Sequence, residues 1–199
     1  DIARHFYQAE TIKHFIDDIA AAGGTFLHLH TSDTENYALE SALLGQTTAN
    51  ATQRGDGVYL NNHNGKPFLS NAQIGKIVAH AKSKGIELIP EVDAPAHMKG
   101  IYDLVVSKEG VAAAQALFDT SQDADYPELR FSEDKAVAFV QSLYSEVITA
   151  FSGSGKHFHI GGDEFSIAAD ENALFVSYAN QMAEFLRGKG LGMRMWNDG

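Results

Sequence analysis

Apolar positions recur along the chain at two spacings, and each spacing predicts a different element. Ile12, Phe15, Ile16, Ile19 and Ala20 follow i, i+3, i+4, i+7, i+8, the stripe of one buried helix face. Gly23-Gly24 can end that helix, because glycine takes the left-handed C-cap conformation without strain. Thr25 to His30 then alternates, with Phe26, His28 and His30 on one face of a strand and Leu27 and Leu29 on the other. Ile74, Ile77, Val78 and Ala81 mark a second helix that closes on Lys82, Lys84 and Gly85, and Ile86 to Pro90 follows as a strand. Ser132 is placed to cap a third helix with the stripe Val137, Val140, Leu143, Tyr144, Val147 and Phe151. A short strand, His157 to Ile160, comes next. Leu174, Phe175, Tyr178, Met182, Phe185 and Leu186 line a fourth helix closed by Lys189-Gly190, and Met193 to Trp196 reads as a last strand.

With a short strand before His5, the order is β-α-β-α-β-α-β-α-β. Strict alternation predicts an α/β fold with a parallel sheet, either open and doubly wound or closed into a barrel. Two strand-to-helix connections, Asp33 to Ser70 and Asp103 to Phe131, exceed the usual length. Both leave the C-terminal ends of strands, the face that carries ligands in parallel α/β folds. The second contains its own apolar run, Val111 to Leu117.

Composition narrows the classes. At 199 residues and 44% hydrophobic, the chain has the material for one folded domain and is not a disordered one. No apolar run approaches the length of a membrane helix. A net charge of -11, from 15 Lys and Arg against 26 Asp and Glu, argues against nucleic acid as partner. The absence of cysteine excludes disulfides, thiolate metal sites and cysteine nucleophiles.

The chemistry gathers where strands end. Asp33 and Glu35, Glu91 and Asp93, Asp163 and Glu164, and Asp198 each follow a predicted strand, so these acids converge in space. In His157-Phe158-His159-Ile160-Gly161-Gly162-Asp163-Glu164, alternation would send Asp163 and Glu164 to opposite faces. Both reach one site only if the backbone leaves β geometry, which Gly161-Gly162 permits. Adjacent acids in an enclosed pocket need not titrate alike, and a protonated acid beside an ionised one suits general acid catalysis. His28, His30, His157 and His159 can fill a polar interior by hydrogen bonding; no HExxH pair supports a metal. His97 stands on a loop just past a strand, Arg4 needs a carboxylate or ligand hydroxyls, and Trp196, the sole tryptophan, offers a flat wall suited to a sugar ring.

His159-x-Gly161-Gly162-Asp163-Glu164 after a strand resembles the catalytic signature of family 20 glycoside hydrolases, the β-N-acetylhexosaminidases. Asp1 to Arg4, His28-Leu29-His30 leading to Asp33, Pro90 to Asp93 leading to His97, and Trp196-Asn197-Asp198 resemble the family's other motifs in order. Within the family, Asp1 to Phe6, Glu35-Asn36-Tyr37 and His157 to Phe165 are most similar to a secreted, biofilm-degrading member. The resemblance implies a (β/α)8 TIM barrel and retaining, substrate-assisted hydrolysis without a cofactor or metal. Asp163 would orient the acetamido nitrogen, and Glu164 would protonate the leaving oxygen and then deprotonate water. Arg4 and Asp33 would hold sugar hydroxyls, Glu91 and His97 would support the pocket and Trp196 would wall it. The implied partner is terminal β-linked N-acetylglucosamine, including the β-1,6-linked polymer of biofilm matrix, and secretion is implied with it. That polymer is cationic where deacetylated, which an acidic protein favours.

The family sets a tyrosine and further tryptophans of the acetamido pocket on later strands. Residues 1–199 are therefore expected to be the N-terminal part of a single catalytic barrel, roughly its first five βα units, with no second domain. On that expectation the isolated chain has its acids and an incomplete pocket, with little activity alone, or acts as a carbohydrate-binding half-barrel. A metal-dependent isomerase or hydrolase on the same architecture is the remaining alternative.

Overall fold

The computed structural model describes residues 1–165 and 172–197. Its elements run α1 (Ala9–Ala21), β1 (Phe26–His30), β2 (Ala51–Gln53), β3 (Tyr59–Asn61), β4 (Pro67–Phe68), α2 (Asn71–Ser83) and β5 (Glu87–Glu91). Then come α3 (Lys99–Glu109), α4 (Val111–Gln115), β6 (Phe118–Asp119), β7 (Glu128–Leu129), α5 (Asp134–Ala150), β8 (His157–His159), α6 (Asn172–Gly188) and β9 (Gly192–Arg194). The central sheet is parallel, in the order β1-β5-β8-β9. The fold is thus α/β with a parallel core, as the alternation predicts.

Alternation along these strands sorts the sheet into two faces. Leu29, Leu88, Val92 and Phe158 are buried against the helices, where they meet Ile12 and Ile16 of α1, Ile74 and Ile77 of α2, Val140, Leu143 and Val147 of α5, and Met182 and Leu186 of α6. Burial of these side chains contributes about 1.5–3 kcal/mol each and holds the strands in register. The register pairs His30 with Glu91 and Glu91 with His159, so the opposite face carries a row of polar groups at the strands' C-terminal ends. Tyr144 of α5 is fully buried and its hydroxyl donates to the carbonyl oxygens of Val92 and Ile160, tying the helix to the backbone beneath that row.

Two expectations are corrected and a third is filled in. The segment before His5 is not a strand: only the Ile2 N–H reaches the sheet, donating to the His30 carbonyl oxygen at 2.9 Å. The third helix begins at Asp134 after Glu133, and Ser132 makes no cap; Lys135 to Ala150 already contain the stripe that docks it, so packing sets its position. The two long connections are structured: one folds into the antiparallel sheet β2-β3-β4, the other into α3, α4 and the β6-β7 pair. A cap starts α2, where Ser70 and Gln73 form a reciprocal capping box.

Candidate active site

Asp33 leaves the end of β1 through Thr31 and Ser32 and is 1% exposed. The first turn of α3 holds its loop: the Gly100 N–H donates to the Asp33 carbonyl oxygen at 3.0 Å, and a Cβ at Gly100 would lie 2.5 Å from the Asn36 backbone. Oδ2 of Asp33 takes the Arg4 guanidinium at 2.7 Å and His30 Nε2 at 2.8 Å, while Oδ1 faces His97 Nδ1 at 3.4 Å. Burial alone would raise this carboxyl. The hydrogen bonds from His30, His97 and the Thr34 N–H outweigh it and hold the group ionised, far below the usual carboxylate range.

His30 touches a carboxylate with each ring nitrogen, Asp33 with Nε2 and Glu91 with Nδ1, both at 2.8 Å. Two acceptors on one ring require two N–H donors, so the imidazole is cationic. Burial works against that charge, but the two carboxylates outweigh it and push the group up to about 9. Glu91 is fully buried and gathers four rings. His28 Nε2 lies at 2.9 Å, His30 Nδ1 at 2.8 Å, His159 Nδ1 at 3.2 Å, and Trp196 Nε1 donates at 2.8 Å. Its desolvation is likewise overcome by the histidines, and it too stays ionised well below its ordinary range. The Trp196 ring leans on His28 and His159, with centroids 5.3 and 4.6 Å away, and is 39% exposed. Glu91 therefore sits behind the wall, sets the angle of the tryptophan that faces outward, and has no surface of its own for a ligand.

The loop after β5 carries Asp93 and His97. His97 has φ 56 and Glu164 has φ 50, the two non-glycine residues among those described in the left-handed region. Such backbone strain collects where side chains must be aimed, and these two meet: His97 Nε2 lies 3.4 Å from Glu164 Oε2 and 3.9 Å from Asp163 Oδ2. The Asp33 hydrogen bond raises the His97 pKa, against the opposing effect of burial. Gly161 (φ 76), Gly162 (φ 93) and Glu164 together take the chain out of β geometry, which is how adjacent acids come to share one face. The Asp163 side chain is 22% exposed and that of Glu164 71% exposed, so both are open to an incoming molecule.

Arg4, Asp33, His97, Asp163 and Glu164 thus form one connected chain of charges, joined through His30 to Glu91 and Trp196. Glu35 is exposed at the rim, and Asp198 lies outside the described residues. His28, His30 and His159, read from sequence as interior filling, do fill the interior, and they do so by converging on one carboxylate. The acid that the structure raises is Asp93, a residue the strand-end pattern grouped with six others without distinction. Among the described residues, four groupings of His and carboxylate atoms approach closely enough to share an ion. In the three built on Asp33 and Glu91, the carboxylates are already engaged by protein N–H groups. In the fourth, Asp93 with His97 and Asp163, the buried atoms Asp93 Oδ2 and Asp163 Oδ1 have no donor.

A family profile described as glycosyl hydrolase family 20, catalytic domain, matches residues 1–199. Among curated proteins, the chain is 28% identical over 181 residues to a β-hexosaminidase of Vibrio furnissii, covering 82% of this chain and 28% of that protein. It is 29% identical over 199 residues to N,N'-diacetylchitobiase of Vibrio harveyi, covering 82% of this chain and 22% of that one. Among solved structures, Dispersin B matches with a TM-score of 0.94 and 53% identity, over 100% of this chain and 57% of that chain. A family 20 β-N-acetylhexosaminidase of Streptomyces coelicolor A3(2) matches with a TM-score of 0.71 and 25% identity, over 98% of this chain and 38% of its own. The chain spans between about a fifth and three fifths of the length of these relatives.

Proposed function

The chain belongs to glycosyl hydrolase family 20, and from that premise we propose that its charge chain is the catalytic centre of a β-N-acetylhexosaminidase. The observation that carries the reading is the Asp33–His97–Glu164 series beside Asp163: an open carboxyl backed by a histidine, itself backed by a buried carboxylate. Glu164, in its acid form, protonates the glycosidic oxygen as the bond to the anomeric carbon breaks. The acetamido oxygen of the substrate attacks that carbon from the other side, giving an oxazolinium ion. Positive charge grows on the acetamido nitrogen as this happens, and Asp163 accepts its N–H and stabilises the charge. Glu164 is left as a carboxylate, and the His97 imidazolium 3.4 Å away stabilises that ionised product of the first step. Water then opens the ring, Glu164 takes its proton, and the starting state returns. Two displacements retain the anomeric configuration.

Arg4, half exposed and held by the buried Asp33, suits the hydroxyls of a terminal sugar, with Trp196 as an apolar wall for its ring. Likeness to Dispersin B at 53% identity and a net charge of -11 support a finer reading, in which the substrate is β-1,6-linked poly-N-acetylglucosamine outside the cell. In the intact protein, release of 4-nitrophenol from its N-acetyl-β-glucosaminide is expected and Glu164→Gln should abolish it. A Glu164→Gln protein that keeps binding β-linked N-acetylglucosamine, where the parent never turned it over, supports a carbohydrate-binding module instead. Activity lost to a chelator supports a metal-dependent hydrolase.

A further inference from the structure

Asp93 is fully buried, lies two residues beyond Glu91, and touches the turn that carries the two candidate catalytic acids. Its Oδ1 accepts the Gly162 N–H at 3.0 Å, and its own backbone N–H donates to Ser32 Oγ at 3.0 Å. The fit against the turn is close: a Cβ on Gly161 would fall 1.6 Å from Asp93 Oδ1. The Asp93 and Asp163 carboxyls face each other with oxygens within 4.8 Å, and the two oxygens left without any donor, Asp93 Oδ2 and Asp163 Oδ1, are both buried. Two ionised carboxylates cannot share such a contact, whereas one proton turns it into a strong O–H···O bond.

The groups around Asp93 do not supply an alternative. Glu91 adds a like charge from the same strand; Asp163 does so from the turn after β8. Tyr144 of α5 turns its hydroxyl to Val92 and Ile160, and the buried Tyr178 hydroxyl of α6 lies against that of Tyr144. Among the described residues, His30 and His97 are the nearby groups that can carry positive charge; both ring nitrogens of His30 are taken by Asp33 and Glu91, and His97 Nδ1 is turned to Asp33.

We propose that Asp93 is a positioning residue that works as a neutral carboxylic acid, donating its proton to Oδ1 of Asp163 so that Oδ2 of Asp163 is held toward the substrate's acetamido N–H. Burial, reinforced by the neighbouring Asp163, pushes the Asp93 carboxyl well above the ordinary carboxylate range. The acid therefore fixes the rotamer of a carboxylate whose aim matters, since misplacement by about 1 Å costs about 100-fold in rate. The role in catalysis rests on the reaction proposed above; the buried proton does not.

Two measurements on the intact protein separate these claims. An infrared difference spectrum between the parent and Asp93→Asn, taken at neutral pH without substrate, should show the C=O stretch of a neutral carboxylic acid that the variant lacks. Carboxylate bands alone would overturn the proposal, and so would a stoichiometric metal ion that is lost in the variant. In turnover, Asp93→Asn keeps an N–H donor for Asp163 and an acceptor for the Gly162 N–H, whereas Asp93→Leu keeps neither. Asp93→Leu is expected to lose about 100-fold in kcat, with KM changed much less, and Asp93→Asn to recover to within about 10-fold of the parent. Equal losses in both variants, with the circular dichroism spectrum intact, would overturn the positioning role. A protein with the infrared band and no turnover at all refutes the hexosaminidase reading and leaves the proton standing.

Discussion

His30 is where the electrostatics of the site can be tested without any substrate. Its imidazole is pushed from 6.5 to about 9 by carboxylates on both ring nitrogens, so folding takes up a proton at neutral pH. The rise from 6.5 to about 9, at about 1.4 kcal/mol for each tenfold change in proton affinity, corresponds to about 3.5 kcal/mol of stability. A raised folded pKa fixes the sign: the contribution is complete below about pH 6.5 and is lost as pH climbs through about 9. Replacing the ring by His30→Gln leaves the two buried carboxylates short of a cation. Loss of one partner from a buried pair costs about 3–5 kcal/mol, and the lower end applies because Asp33 keeps Arg4 and Glu91 keeps the Trp196 N–H. Urea unfolding of the intact protein and the variant across this pH range should show a gap of about 3 kcal/mol at the acid end that closes toward the alkaline end. A gap that stays constant with pH, or an NMR titration placing His30 near 6.5, would refute the reasoning.

Gly161→Ala should be among the most damaging single changes, because the new methyl group meets Asp93 Oδ1 in a left-handed backbone position; a lowered Tm and lost turnover are the readouts, and a silent substitution would count against the described turn. Trp196→Phe keeps a flat ring and removes the Nε1 donor to Glu91. Its expected effect is a rise in KM for N-acetylglucosaminides by several-fold, on the order of one hydrogen bond of about 1 kcal/mol, with kcat nearly unchanged. Ser70→Ala breaks the capping box of α2 and should cost about 1 kcal/mol in chemical denaturation, with no effect on catalysis.

The elements that could be read from the chain are those whose order is local. The stripe of α1, its termination before Gly23-Gly24, and the strand ending at His30 follow from residues within a few positions of one another. The departure from β geometry at Gly161-Gly162 was legible for the same reason, and the positive φ of Glu164 completes it. The two-residue strands β4, β6 and β7 have too few positions to show a period and escaped notice. Asp93 was visible as an acid at a strand end, but its difference from Glu91 arises from partners far apart in sequence. The Glu91 carboxyl meets three histidines and an indole N–H, while the Asp93 carboxyl accepts the Gly162 N–H and faces another carboxyl. The capping box at Ser70 was readable in principle from Ser-x-x-Gln ahead of an apolar stripe.

The central claim is that the acetamido group of the substrate is the nucleophile, with Asp163 and Glu164 serving it. The most direct measurement is proton NMR of the first sugar released by the intact protein from a β-linked N-acetylglucosaminide, set beside the same reaction with the corresponding β-glucoside. The account predicts the β anomer first and no turnover of the glucoside, which lacks the nucleophile. The α anomer appearing first, or equal rates on the two substrates, would contradict it.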